Sequence, residues 1–131
     1  METDFLVKYP EADLSNRVIL AAIEVHRHLG PGLLESAYSA CLCRELTFLE
    51  IPFNREKVLP VMYKGLKLDC GYRMDLVVED RLVLELKCVD KILPIHEAQL
   101  LTYLKLSGLK AGLILNFNCK LMKEGIKRMV S

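Results

Sequence analysis

The segment Met74–Lys87, MDLVVEDRLVLELK, decides how this chain folds. Two runs rich in Leu and Val flank Glu79-Asp80-Arg81, a polar break that reads as the turn of a hairpin. Successive strand side chains point to opposite faces. Met74, Leu76, Val78, Leu82, Leu84 and Leu86 therefore share one apolar face, to be packed on a helix. Asp75, Val77, Glu79, Arg81, Val83, Glu85 and Lys87 share the other, and two acids and a lysine among valines are unusual in mid-sheet. With the turn centred on Asp80, Asp75 and Glu85 stand opposite each other, with Cβ atoms about 4.5–5.5 Å apart. Carboxylates that close repel, and the remedy is a proton on one of them or a cation between them. A divalent cation with oxygen ligands suits the pair. Lys87 lies one step along the same face, where an amine can steady a phosphate or help activate a water. The plain alternative is a solvated hairpin face; the valines and the strands on both sides speak against it.

Outward from this hairpin, the pattern alternates helices and strands. A helix is predicted to start near Asp13, a good N-cap residue, and to bury Leu14, Val18, Ala22, Val25 and Leu29. Gly30-Pro31-Gly32 ends it. A second helix spans about Leu33 to Leu49, with Leu34, Tyr38, Leu42 and Leu46 on its buried face and Pro52 beyond its end. Lys57–Tyr63 reads as a strand, Lys64-Gly65 as a turn, and Leu66–Glu79 as extended, with Gly71 marking a bulge. Leu82–Val89 is the next strand. Pro94–Leu106 is a third helix closed by Gly108, and Ala111–Phe117 a short apolar strand. Residues 1–12 read as a loose lead-in. The tail Lys120–Ser131 is basic and amphipathic, and its pattern fixes no single structure. With no repeat or linker in sight, one domain over residues 1–131 is expected.

Composition bounds the function. At 131 residues, 52% hydrophobic and 27% charged, the chain has enough material for a packed core. A net charge of +1 excludes a bulk basic protein, so nucleic-acid binding has to rest on a local patch or a partner. No apolar run reaches the ~18–20 residues of a membrane helix, so no membrane partner is expected. Met1-Glu2-Thr3-Asp4 lacks the basic start of a signal peptide, which makes a cytoplasmic location the expectation. Cys41, Cys43, Cys70, Cys88 and Cys119 are odd in number and form no C-x-x-C, so free thiols are read rather than zinc or disulfides.

Two further groups sit at helical spacing. Glu35 and Tyr38 are three apart on the second helix; a helix-start acid also has an ordinary explanation in the helix dipole. His96, Gln99 and Tyr103 line one face of the third helix, either over a cleft or as an exposed face.

Together these residues resemble the PD-(D/E)XK nuclease superfamily. Asp75 with Glu85-Leu86-Lys87 matches its D…(D/E)-x-K core, and Gln99-x-x-x-Tyr103 looks like the Q-x-x-x-Y helix motif of RecB-like members. Gly32-x-x-Glu35-x-x-Tyr38 is similar to the signature of the bacterial GxxExxY family within that superfamily. Met74 stands where many members carry Pro. The resemblance, from about Ser15 to Arg128, implies an α/β (mixed-sheet α+β) restriction-endonuclease-like core, α-β-β-β-α-β, with an extra N-terminal helix. It implies that Asp75, Glu85, Glu35 and the Leu86 carbonyl bind Mg²⁺, or Mn²⁺ as a substitute. It implies that Lys87 positions the attacking water or the phosphate, and that Gln99 and Tyr103 support the site or touch nucleic acid.

The activity so implied is metal-dependent hydrolysis of phosphodiester bonds in nucleic acid, DNA ahead of RNA. A domain this small calls for a homodimer or a partner to complete a groove. Candidate phosphate-contacting cations are Lys57, Lys64, Lys67, Arg73, Lys120, Lys123, Lys127 and Arg128. Two rivals use the same residues: a non-catalytic interaction module on the same fold, and a metal-dependent hydrolase of a small phosphate ester, for which the modest charge leaves room.

Overall fold

A computed structural model describes residues 9–131, so the first eight residues of the expected loose lead-in lie outside the described residues. The rest of that lead-in is tied down. Tyr9 donates its hydroxyl hydrogen to Gly112 O at 2.7 Å and packs against the core.

Helix α1 spans Ala12–Leu29 and α2 spans Glu35–Phe48. Asp13 lies inside the first turn rather than at the cap, because Glu11 takes the cap position at φ 63°. In α1 the stripe Leu14, Val18, Ala22, Val25 is buried, whereas Leu29 is 36% exposed at the last turn. In α2, Tyr38, Leu42 and Leu46 are fully buried. Leu34 is not on that face: it precedes the helix as its cap residue and is left in solvent.

The strands are β1 (Phe53–Val58), β2 (Val61–Tyr63), β3 (Leu66–Leu68), β4 (Arg73–Val78), β5 (Leu82–Lys87), β6 (Ala111–Asn116) and β7 (Ile126–Val130). Five form one sheet in the order β1-β4-β5-β6-β7; β5 and β6 run parallel and the other pairs antiparallel. Helix α3 (Pro94–Ser107) makes the crossover that a parallel pair needs.

The expected strand Lys57–Tyr63 is divided. β1 starts earlier and stops at Val58, and Pro60, which has no N–H for a ladder, turns the chain into a separate β2–β3 hairpin. Lys64-Gly65 is its turn, with φ values of 47° and 83°. The predicted extended run Leu66–Glu79 is broken at residues 69–72, where Gly71 takes φ 85°. The tail forms a 3-10 turn (Met122–Gly125) and then β7, which covers the edge of β6.

Apolar clusters lie on both faces of the sheet. Leu76, Val78, Leu82, Leu84 and Leu86 pack with α1 and α2, as their alternation dictates. Val77 and Val83 pack with Leu100, Tyr103 and Leu104 of α3 on the other face. Met74 departs from the alternation and joins the α3 side. Beside it the β1–β4 ladder skips the Glu56–Asp75 step, and Glu56 has φ 51°, so the strands are bent there. Each fully buried leucine contributes on the order of 2 kcal/mol, so the two clusters hold the sheet rigid between the helices.

Candidate active site

The hairpin register is the one that the turn dictates. Leu76 pairs with Leu84, Val77 with Val83 and Val78 with Leu82. Glu79 and Asp80 turn the chain at φ 51° and 56°. One step further from the turn, the ladder stops and carboxylates take its place. Glu85 Oε2 accepts the Asp75 N–H at 3.0 Å, and Asp75 Oδ2 accepts the Leu86 N–H at 2.8 Å. Each acid is thus locked to the other's strand.

Burial makes this pair electrostatically costly. Glu85 is only 5% exposed. Burial first, and then the charges of Asp75 and Glu35, push its pKa up to about 8; the Asp75 N–H and Lys87 act the other way. Burial also raises Asp75, helped by the charges of Glu35 and Glu56 and opposed by the Leu86 N–H and Lys87.

Glu35, in the first turn of α2, is exposed and lines a cavity of about 190 Å³ with Asp75 and Leu86. Arg55, Glu56, Ser36 and Ser39 complete that cavity. The sequence pattern starts β1 only at Lys57 and so leaves out Arg55 and Glu56, while Ser36 and Ser39 of α2 carry no motif that marks them. The signal open to detection was the polar run Asn54-Arg55-Glu56-Lys57, which places Glu56 beside Asp75 once the strand is started at Phe53.

Lys87 belongs to a second cavity, with His96, Gln99 and Tyr103. Its Nζ donates to Gln99 Oε1 at 3.4 Å, and Gln99 Nε2 donates to the Tyr103 hydroxyl at 3.3 Å. Burial, followed by the charges of Glu85 and Asp75, raises the Tyr103 phenol. His96 Nδ1 accepts the Leu93 N–H at 3.0 Å, so it closes the start of α3 while half-exposed at the cavity wall.

Tyr38 is not at the site. It is fully buried, stacked on Phe117 with centroids 4.5 Å apart, and its hydroxyl donates to Gly30 O and accepts the Leu33 N–H. Its support is indirect: it pins the loop that launches α2 and so holds Glu35. Gly32, at φ 101°, meets a backbone requirement of the same loop.

Among the described residues, no three His, Cys, Asp or Glu side chains stand close enough to make a ready metal cage. The chemistry of the central donors nonetheless fits a hard divalent cation: two carboxylates that burial disfavours as anions, with only oxygen to offer. The Cys88 thiol is pushed up by burial and by the charge of Glu35. Among the candidate cations, Lys57 pairs with Asp80, Arg73 with Asp69 and Lys127 with Glu97, and Arg128 bonds Asn16 over the Tyr9 ring.

A family model for the PD-(D/E)XK nuclease superfamily matches residues 12–129. The chain belongs to that superfamily, whose members are nucleases and usually use divalent metals. Its mixed α/β fold, with a five-stranded mixed sheet and three helices, agrees with such a core. No significant match is found among curated proteins or solved structures. No helix among the described residues is long and apolar enough to cross a membrane.

Proposed function

We propose that this chain is a Mg²⁺-dependent nuclease that hydrolyses phosphodiester bonds, in a single domain whose motifs align it with the GxxExxY group. The observation that carries the reading is the pair of bonds by which Glu85 accepts the Asp75 N–H and Asp75 accepts the Leu86 N–H. It holds two carboxylates together where burial penalises their charge, the condition a divalent cation relieves.

Asp75, Glu85 and the Leu86 carbonyl would hold the ion, with Glu35 completing the acidic wall. When bound, the ion supplies Lewis-acid activation of a water and of the phosphate oxygens. Lys87 is oriented by Gln99, which Tyr103 holds in turn; its amine is placed to contact the phosphate or the attacking water. DNA is the substrate we favour over RNA, with a second copy of the chain extending the groove. The five unpaired thiols support a reducing compartment, the cytoplasm.

Nuclease assays with Mg²⁺ or Mn²⁺ on single-stranded, duplex and branched DNA and RNA test this. Asp75→Ala and Lys87→Ala are each expected to lower cleavage by two or more orders of magnitude, on the scale of lost metal or transition-state contacts. Cleavage that persists in both variants belongs to a contaminant and removes the proposal. Turnover of small phosphate esters alone selects the hydrolase reading.

A further inference from the structure

The cavity that Lys87 shares with α3 holds more room than a phosphate needs. Its volume is about 730 Å³, within the roughly 300–1,000 Å³ of ligand clefts. Val61, Ile95 and Leu106 give it an apolar wall. Tyr72 gives it an aromatic one: this ring meets Tyr103 edge-on, with centroids 6.2 Å apart at 64°, and remains 46% exposed. Among the described residues no carboxylate lines this cavity, whereas Glu35, Glu56 and Asp75 line the neighbouring one. Lys87 links this cavity to the acids: it lines the apolar wall, and its charge acts on both Asp75 and Glu85.

A space with apolar and aromatic walls and one amine that also acts on two acids suits a base and the phosphate that follows it. We infer that the cavity seats one unpaired nucleotide of a polynucleotide strand, its base against Tyr72 and its phosphate toward Lys87. This rests on the nuclease reading and names its substrate class. A paired base has both faces covered by its neighbours, so only an unpaired one can offer a face to Tyr72. Single strands and splayed ends are therefore preferred over closed duplex. Stacking is tolerant of sequence, so the preference is for strand state and not for a particular base.

The full-length chain carrying Asp75→Asn, which removes turnover, is titrated with Mg²⁺ present against a labelled oligonucleotide, first single-stranded and then annealed to its complement. Tighter binding of the single strand is expected. Adding Tyr72→Ala lowers that affinity about tenfold, in line with the loss of one base–aromatic contact. Tyr72→Phe keeps it, and Tyr72→Leu does not restore it. A 2-aminopurine in the strand reports stacking through quenching that Tyr72→Ala relieves. Circular dichroism checks that each variant is folded.

Equal affinity for both strand states, or an affinity indifferent to position 72, overturns the inference. If the wild-type chain still cleaves in a Lys87-dependent way, only this inference fails; if it neither binds nor cleaves nucleic acid, the nuclease reading fails with it. Should a Tyr72 substitution instead split a dimer and leave strand binding unchanged, the face is a contact between copies and the inference is overturned.

Discussion

Replacing Glu85 by glutamine isolates the electrostatic strain at the centre of the site. In the folded chain, Glu85 is raised from 4.5 to about 8 by burial, then by Asp75 and Glu35, against the Asp75 N–H and Lys87. The charge of Glu85 in turn helps to raise the Tyr103 phenol of α3. In the unfolded chain the same acid titrates near its ordinary value. Between these two pH values the folded state holds a proton that the unfolded state has released, so stability falls as pH rises through the window. At ~1.4 kcal/mol for each tenfold change, the loss approaches a ceiling on the order of 5 kcal/mol once the pH passes the folded value. Glutamine carries no charge and keeps an oxygen that can accept the Asp75 N–H. Wild type and Glu85→Gln should therefore be about equally stable in mild acid. In metal-free alkaline buffer the variant should be the more stable by several kcal/mol. Urea unfolding followed by far-ultraviolet circular dichroism, in EDTA across that range, measures the difference. Parallel pH profiles, or a wild type that gains on the variant as pH rises, would refute the reasoning.

Other outcomes follow from the same geometry. Mg²⁺ or Mn²⁺ should raise the Tm of the wild type but not of Glu85→Gln, and the gain should grow with pH because the ion competes with a proton; differential scanning fluorimetry reads both. Tyr38→Phe removes the hydroxyl that bridges Gly30 O and the Leu33 N–H, so both backbone groups lose that partner, and should cost about 1 kcal/mol in urea unfolding. Gly125→Ala should be worse, at least about 3 kcal/mol, because its Cβ would lie 2.0 Å from the backbone oxygen of Asn116, which cannot swing aside. Equal stability of that variant and wild type would show that the 3-10 turn does not pack on β6 as described.

What the sequence made legible follows from periodicity and from one turn. Alternation over Met74–Lys87 and the polar break at Asp80 were enough to place Asp75 opposite Glu85, because a hairpin's register follows from its turn. The Lys87–Gln99–Tyr103 chain was half legible: helical spacing put Gln99 and Tyr103 on one face, and only the β5–α3 packing showed that Lys87 meets them. β1 was misplaced because Asn54-Arg55-Glu56-Lys57 has no apolar alternation; all four are exposed on an edge strand, so burial left no imprint. That error concealed Arg55 and Glu56. Tyr38 carries two readings in the sequence, a place on the buried face of α2 and a place in a motif, and the structure bears out the first. Its spacing from Glu35 is a true helical relation, but the side chain points into the core at Phe117, and a one-dimensional motif does not distinguish a residue that touches substrate from one that holds a loop.

The end of the β4–β5 ladder explains how the chain tolerates its acids without a cation. A carboxylate buried without donors would be severely penalised. Here each accepts a backbone N–H where regular strand pairing has ended, so the acids satisfy main-chain groups that separating strands would otherwise orphan. Each such bond uses one oxygen of its carboxylate and leaves the other for a cation or for solvent. The side chains are thus oriented before any ion arrives, and part of the ordering cost is met by folding. The same economy leaves the site weakly charged: Glu85, raised to about 8, holds its proton through much of the neutral range. Metal affinity should therefore rise with pH, as the ion displaces the proton. The amine that Gln99 orients consequently influences both the phosphate and the protonation of the acids beside it.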